Sequence, residues 1–145
     1  MAEIKLTKEQ QAVVDDRGGT ILVSAAAGSG KTKVLLDRVM KKVQQEGHNV
    51  DDFLMITFTK AAAAELREKL IAQLSKALAR DPSDRHLQNQ MSRVYLAQIS
   101  TVHGFCKTLL KDYAHTLDIP ADFRICDEQE KHENILKISL EAKMR

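Results

Sequence analysis

Eight residues, Ala25-Ala-Ala-Gly-Ser-Gly-Lys-Thr32, constrain this chain more than any other stretch. They fit the phosphate-loop pattern that ends in Gly-Lys-Ser/Thr, with Ala25 where the first Gly usually stands. The pattern has meaning only in a turn that leaves a strand and opens a helix, and both flanks agree. Thr20–Ser24 (TILVS) is a β-branched apolar run, and Val34, Leu35, Val39 and Val43 recur at helical spacing, predicting a helix over 31–45. In that setting Gly28 and Gly30 supply the backbone freedom that turns the N–H groups around Ala26, Ala27 and Ser29 inward, toward an anion. The helix N-terminus adds partial positive charge. Lys31 then reaches the β- and γ-phosphates of ATP, and the Thr32 hydroxyl ligates the accompanying Mg²⁺. A glycine turn that merely joins strand to helix is the plain alternative, and Gly-Lys-Thr in this context argues against it.

The same alternation continues downstream. Phe53–Thr59 (FLMITFT) and, more weakly, Ala97–Thr101 (AQIST) are apolar runs of strand length. Continuous apolarity predicts strands covered on both faces of a parallel sheet. Between the runs lie helical stretches. Thr7–Asp15 carries Thr7 and Gln10 at capping-box spacing. Ala61–Ala79 is rich in strong helix formers, and Asp84 is placed to cap the helix after the Asp81-Pro-Ser turn. Val102–His115 and Asp127–Lys143 complete the set. Strand–helix alternation predicts a doubly wound α/β sheet. A boundary is expected near Asp118-Ile-Pro, giving a core over 1–117 and a helical segment over 118–145 that looks like the beginning of something cut short.

Composition excludes little. A 43% hydrophobic and 29% charged chain of 145 residues fits one soluble globular domain. Aromatics at 4% argue against an aromatic base-stacking platform. A net charge of +2 leaves nucleic-acid binding to be argued from motifs. The charged start and the lack of a long apolar run predict no membrane partner and a cytoplasmic location, and two cysteines, Cys106 and Cys126, suit a reducing compartment.

Four motifs in order now narrow the class. Ser24–Thr32 resembles motif I of superfamily 1 DNA helicases of the UvrD/Rep type. Leu6-Thr-Lys-Glu-Gln10 resembles their Q motif, Met55-Ile-Thr-Phe-Thr-Lys-Ala-Ala-Ala-Ala-Glu65-Leu-Arg67 motif Ia, and Ile99-Ser-Thr-Val-His-Gly-Phe-Cys106 motif Ib. Within that family the chain resembles the A subunit of the bacterial helicase–nuclease (AddA/RexA type). The Ser-Ala-Ala-Ala opening of motif I, the Ala61–Ala64 run and Asp118-Ile-Pro-Ala-Asp-Phe-Arg-Ile-Cys-Asp-Glu128 carry that likeness. Lys60 departs from the usual Asn, Gly104 from the frequent Ser, and Ala121-Asp122 from the common Pro-Gly. The resemblance implies a truncated RecA-like P-loop NTPase core of three layers with the start of a helical insertion. It implies ATP-driven movement on single-stranded DNA, unwinding of duplex ends in double-strand break repair, a B-subunit partner, and a nuclease domain elsewhere in the parent.

The site residues carry plainer readings beside these. Gln10 offers an amide to the adenine edge, or it is only a capping-box glutamine; the neighbouring loop favours adenine. Lys33 stands where the family often has Arg near the base. Thr59 and Lys60, following a strand, are placed to hold DNA phosphates, with Lys60 in the following loop or simply solvated. Phe58 is expected in the core. Thr101, His103 and Phe105 are implied to meet single-stranded DNA through hydroxyl, imidazole and stacking, and a buried, hydrogen-bonded His103 is the equal alternative.

Two other groupings are set aside. Asp127-Glu-Gln-Glu130 imitates an acidic Mg²⁺-positioning motif, but Arg124 breaks the apolar run before it, and the resemblance implies that the true motif lies beyond Arg145. His103, Cys106, Cys126 and His132 lack the close Cys-x-x-Cys spacing of a zinc knuckle. The chain is therefore expected to bind nucleotide weakly and to turn it over little. The rival readings are a small P-loop kinase or nucleotide switch, which would need a lid segment that is not evident, and a non-catalytic nucleotide- or DNA-binding module.

Overall fold

In the computed structural model, residues 6–116, 118–120, 122–126 and 130–135 are described. Helix α1, Lys8–Asp15, starts at the anticipated capping box: Thr7 Oγ1 accepts from Gln10 N and Gln10 Oε1 accepts from Thr7 N. Helix α2, Lys31–Glu46, ends at Gly47, whose φ of 73° is the left-handed conformation of a helix C-terminus. Cations along α2 hold α1 against it. Arg38 donates to the Val13 carbonyl, Lys41 pairs with Asp15 at 2.5 Å, and Arg17, just past α1, pairs with Glu46.

A short 3-10 turn, Val50–Asp52, leads into strand β1, Leu54–Thr57. Helix α3, Lys60–Arg80, is capped by Thr59, whose hydroxyl accepts from Ala62 N; α4, Arg85–Arg93, is capped as expected by Asp84. Strand β2, Gln98–Thr101, lies parallel to β1 in the register Leu54↔Gln98 to Thr57↔Thr101. Helix α5, Val102–Tyr113, opens directly from its end and passes into a 3-10 turn, Ala114–Thr116. Asp118 follows at a positive φ of 52°, and residues 130–135 are helical. The rest of the helix expected over 127–143 lies outside the described residues. By contacts the chain separates into Met1–Cys106 and Lys107–Arg145.

The core of the first unit sits where α2 and α3 meet and where α3 covers one face of the sheet. Leu36, Val39, Met40 and Val43 meet Leu66, Leu70 and Leu74, with Met55 and Ile99 from the strands and Leu87 and Val94 from α4 and its end. Gln90 is fully buried there with its amide satisfied: Oε1 accepts from Val50 N and Nε2 donates to Asn49 Oδ1, both at 2.9 Å. This fastens α4 to the turn before β1, and Arg93 adds a bidentate pair with Asp51.

Four expectations need correction. Thr20–Ser24 forms no strand; a strand needs a hydrogen-bonded neighbour, and among the described residues the sheet holds only β1 and β2, while Leu22 is 94% exposed. Among the described residues the sheet is covered on one face only, since Leu54 and Ile56 alternate outward from Met55 and remain exposed. The buried stripe of α2 uses Leu36 where Leu35 was expected; positions 36, 39, 40 and 43 share one face and Leu35 turns off it. Phe58 is fully exposed, because it follows the last residue of β1 and precedes the cap of α3, beyond the reach of the core.

Candidate nucleotide and nucleic-acid site

The glycine loop has the backbone its sequence demands. Gly28 and Gly30 take φ of 76° and 88°, a region that a side chain disfavours. A Cβ on Gly28 would meet nothing within 4 Å, so conformation, not space, requires that glycine. Gly30 is the N-cap of α2 and makes no side-chain cap, so the first N–H groups of the helix are left for another acceptor. Lys31 curls back over the loop, its Nζ donating to the carbonyls of Ala25 at 2.6 Å and Ala26 at 2.7 Å. Charged phosphate oxygens are stronger acceptors than these carbonyls. The arrangement therefore places the ammonium at the loop's mouth in a contact that a phosphate can replace. Thr32 is exposed on the first turn of α2. Lys33 is turned along the helix to Asp37 at 3.2 Å.

A cavity of about 590 Å³ adjoins the loop, lined by Gln10 and Val13 of α1, Ile21 and Val23 of the preceding segment, and Leu35 and Arg38 of α2. Gln10 reaches the loop itself: while Oε1 serves the capping box, Nε2 donates to the Ser29 carbonyl at 3.0 Å. An amide has two N–H donors and two acceptor lone pairs. One of each is thus left for an adenine edge, and the two readings of Gln10 are compatible.

A second feature lies at the carboxyl ends of β1 and β2. Thr59 Oγ1 accepts from Ala62 N and Thr101 Oγ1 accepts from Gly104 N, both at 3.1 Å. Each hydroxyl thereby caps the helix that follows and still has its own hydrogen to donate outward. Two helix N-termini, those of α3 and α5, therefore emerge from neighbouring strands. Gly104 permits the second: a Cβ there would lie 3.3 Å from Thr101 Oγ1 and 3.4 Å from Ser100 Cβ. Lys60 and His103 are exposed on these first turns. Lys60 is the first residue of α3 instead of a loop residue, and the alternative of a buried His103 is overturned, because its side chain is exposed. Phe105 is half-buried. Sequence reasoning missed Phe58, the fully exposed aromatic beside Thr59; the signal was its place between a strand end and a helix cap.

Helices around a small two-stranded parallel sheet put the chain among α/β proteins. Comparison with known proteins narrows this. The sequence profile described as UvrD/REP helicase N-terminal domain matches residues 6–145. The A subunit of the ATP-dependent helicase/nuclease of Lachnoclostridium phytofermentans is 44% identical over 132 residues, 90% of this chain and 10% of that protein. Its counterpart in Oceanobacillus iheyensis is 46% identical over 129 residues, 88% of this chain and 10% of that protein. That of Lysinibacillus sphaericus is 45% identical over 131 residues, with shares of 89% and 11%. The chain belongs to the UvrD/REP helicase N-terminal domain family, and it spans about a tenth of the length of these relatives. Among the described residues no helix is long and apolar enough to cross a membrane.

Proposed function

We propose that this chain supplies the ATP-binding loop and the first DNA-contacting edge of an ATP-dependent DNA helicase, within the A subunit of a helicase–nuclease acting in double-strand break repair. The observation that carries the reading is the loop at Ala25–Thr32, with Gly28 and Gly30 in left-handed conformation and a helix start left uncapped by any side chain. The fit to a nucleoside triphosphate is chemical: backbone donors, a helix N-terminus and one ammonium converge where negative charge must be held. Lys31 exchanges its carbonyl partners for β- and γ-phosphate oxygens. Gln10 steadies the loop through Ser29 and takes adenine with its remaining donor and acceptor, and Lys33 lies near the base. The Thr32 hydroxyl would hold Mg²⁺, which when bound would supply neutralising charge at the phosphates.

DNA lies along the strand-end edge. Thr59 and Thr101 donate their hydroxyl hydrogens to phosphate oxygens, Lys60 and His103 add side-chain contacts, and the two helix starts favour the anion. Phe58 and Phe105 are the aromatic faces available for bases. Residues 1–117 belong to a RecA-like three-layer core, which further sheet strands of the parent complete, and 118–145 begin a helical insertion. The names of the relatives support a B-subunit partner and a nuclease in the whole protein.

Titration of single-stranded oligonucleotide at a series of salt concentrations tests the DNA edge. The logarithm of affinity falls linearly with that of salt, and Lys60→Ala lowers the slope by about one phosphate contact. Absence of binding, or a slope untouched by Lys60→Ala, refutes this placement of the DNA.

A further inference from the structure

Arg67 lies in motif Ia yet faces neither the nucleotide loop nor the strand-end edge. Its half-buried guanidinium donates to three backbone carbonyls, those of Val94 at 2.6 Å, Ala97 at 3.2 Å and Ile99 at 3.3 Å. All three residues are buried, so water is poorly placed to replace Arg67 as the donor. The segment it holds runs from the end of α4 into β2, and its two intervening large side chains, Tyr95 and Leu96, point to solvent. Apolar packing by those two residues therefore does little to fix the path of the chain there. Ala97 lies in the bend just before β2, and its carbonyl also accepts from Ile99 N at 2.9 Å; Nη2 of the planar guanidinium meets the Ala97 and Ile99 carbonyls together while Nη1 reaches Val94. A lysine, a compact charge with a single nitrogen, cannot span all three.

We infer that Arg67 is a positioning residue that fixes the spacing of the two DNA-contacting strand ends. Arg67 is on α3, which opens at Thr59 and Lys60. The backbone it clamps is the start of β2, which closes at Thr101 and leads to His103. A rigid helix on one side and a four-residue strand on the other transmit that anchorage to both contact sets, so loss of the clamp lets β2 slide or fray relative to α3. The inference rests on the DNA placement proposed above.

The test uses the full chain and its Arg67→Lys and Arg67→Ala variants, each measured for affinity to an oligo-thymidine strand and, separately, to Mg-ATP. Arg67→Lys is expected to weaken DNA binding about tenfold, a typical size for lost coupling between sites, with Mg-ATP affinity unchanged. Millimolar methylguanidinium is expected to restore DNA binding to Arg67→Ala and to leave Arg67→Lys unaffected. A merely structural arginine would lower both affinities together, and that result overturns the inference, as does wild-type DNA affinity in Arg67→Lys. If Arg67→Ala does not fold, Arg67→Lys decides alone. Failure of the wild-type chain to bind the oligonucleotide overturns the DNA placement itself, and the inference with it.

Discussion

Gln10 is the residue at which the geometry and the sequence make separable predictions. Its amide spans two structures: Oε1 accepts from Thr7 N at 2.9 Å to cap α1, and Nε2 donates to the Ser29 carbonyl at 3.0 Å to steady the loop. Gln10→Ala removes both bonds. An exposed neutral hydrogen bond is worth about 1 kcal/mol, so the cap alone should lower the melting temperature by about 4 °C. Gln10→Glu separates the two roles. Its carboxylate keeps the acceptor for Thr7 N, in a first turn that favours negative charge, but it has no hydrogen to give Ser29. It also sets a like charge near the triphosphate. The lost bond and the repulsion together come to about 2 kcal/mol, or roughly 30-fold in dissociation constant. Titration with a fluorescent ATP analogue, alongside thermal unfolding, should therefore show Gln10→Glu keeping the cap and losing only the Ser29 bond, about 4 °C in melting temperature, while binding about 30-fold more weakly. Gln10→Ala should lose stability and about fivefold in binding. Competition with GTP should show both variants losing preference for adenine. Wild-type nucleotide affinity in Gln10→Glu would reduce Gln10 to a helix cap.

The packing makes its own demands. Leu70 has no exposed surface between α2, α3 and the sheet, so Leu70→Ala should cost about 3 kcal/mol in urea unfolding, and a cost below about 1 kcal/mol would mean that the core is not closed there. Asp51 is held below the ordinary aspartate range chiefly by its hydrogen bonds from Arg93. A lowered folded-state value gives stability that is full above the unfolded-state pKa, near 3.9, and lost as pH falls through the folded value. The stability advantage of wild type over Asp51→Asn should therefore be present at neutral pH and shrink in acid; an advantage that persists unchanged in acid would contradict the pairing.

What could be read from the sequence was set by local rules. The Thr7/Gln10 box, the Asp84 cap and the glycines of the loop follow from residue chemistry over a few positions, and the parallel pairing of the runs around 55 and 99 follows from the helix that separates them. What could not be read depends on neighbours distant in sequence. Thr20–Ser24 has strand composition, yet composition supplies no partner strand. Leu35 and Leu36 differ by 100° of helix rotation, and only the position of α3 decides between them. Phe58 looks like core because it is apolar, but the end of β1 and the cap at Thr59 leave it outside. The second bond of Gln10, 19 residues away at Ser29, and the three carbonyls of Arg67, 27 to 32 residues away, have no signature along the chain.

We propose above all that the loop at Ala25–Thr32 holds a nucleoside triphosphate through Lys31. Calorimetric titration of Mg-ATP into the chain and into Lys31→Ala measures this directly. Saturable one-to-one binding is expected for the wild-type chain, with a loss of at least about tenfold in Lys31→Ala, because a charged hydrogen-bond donor to phosphate is removed. Equal affinity in the two proteins, or no binding by wild type, would contradict it.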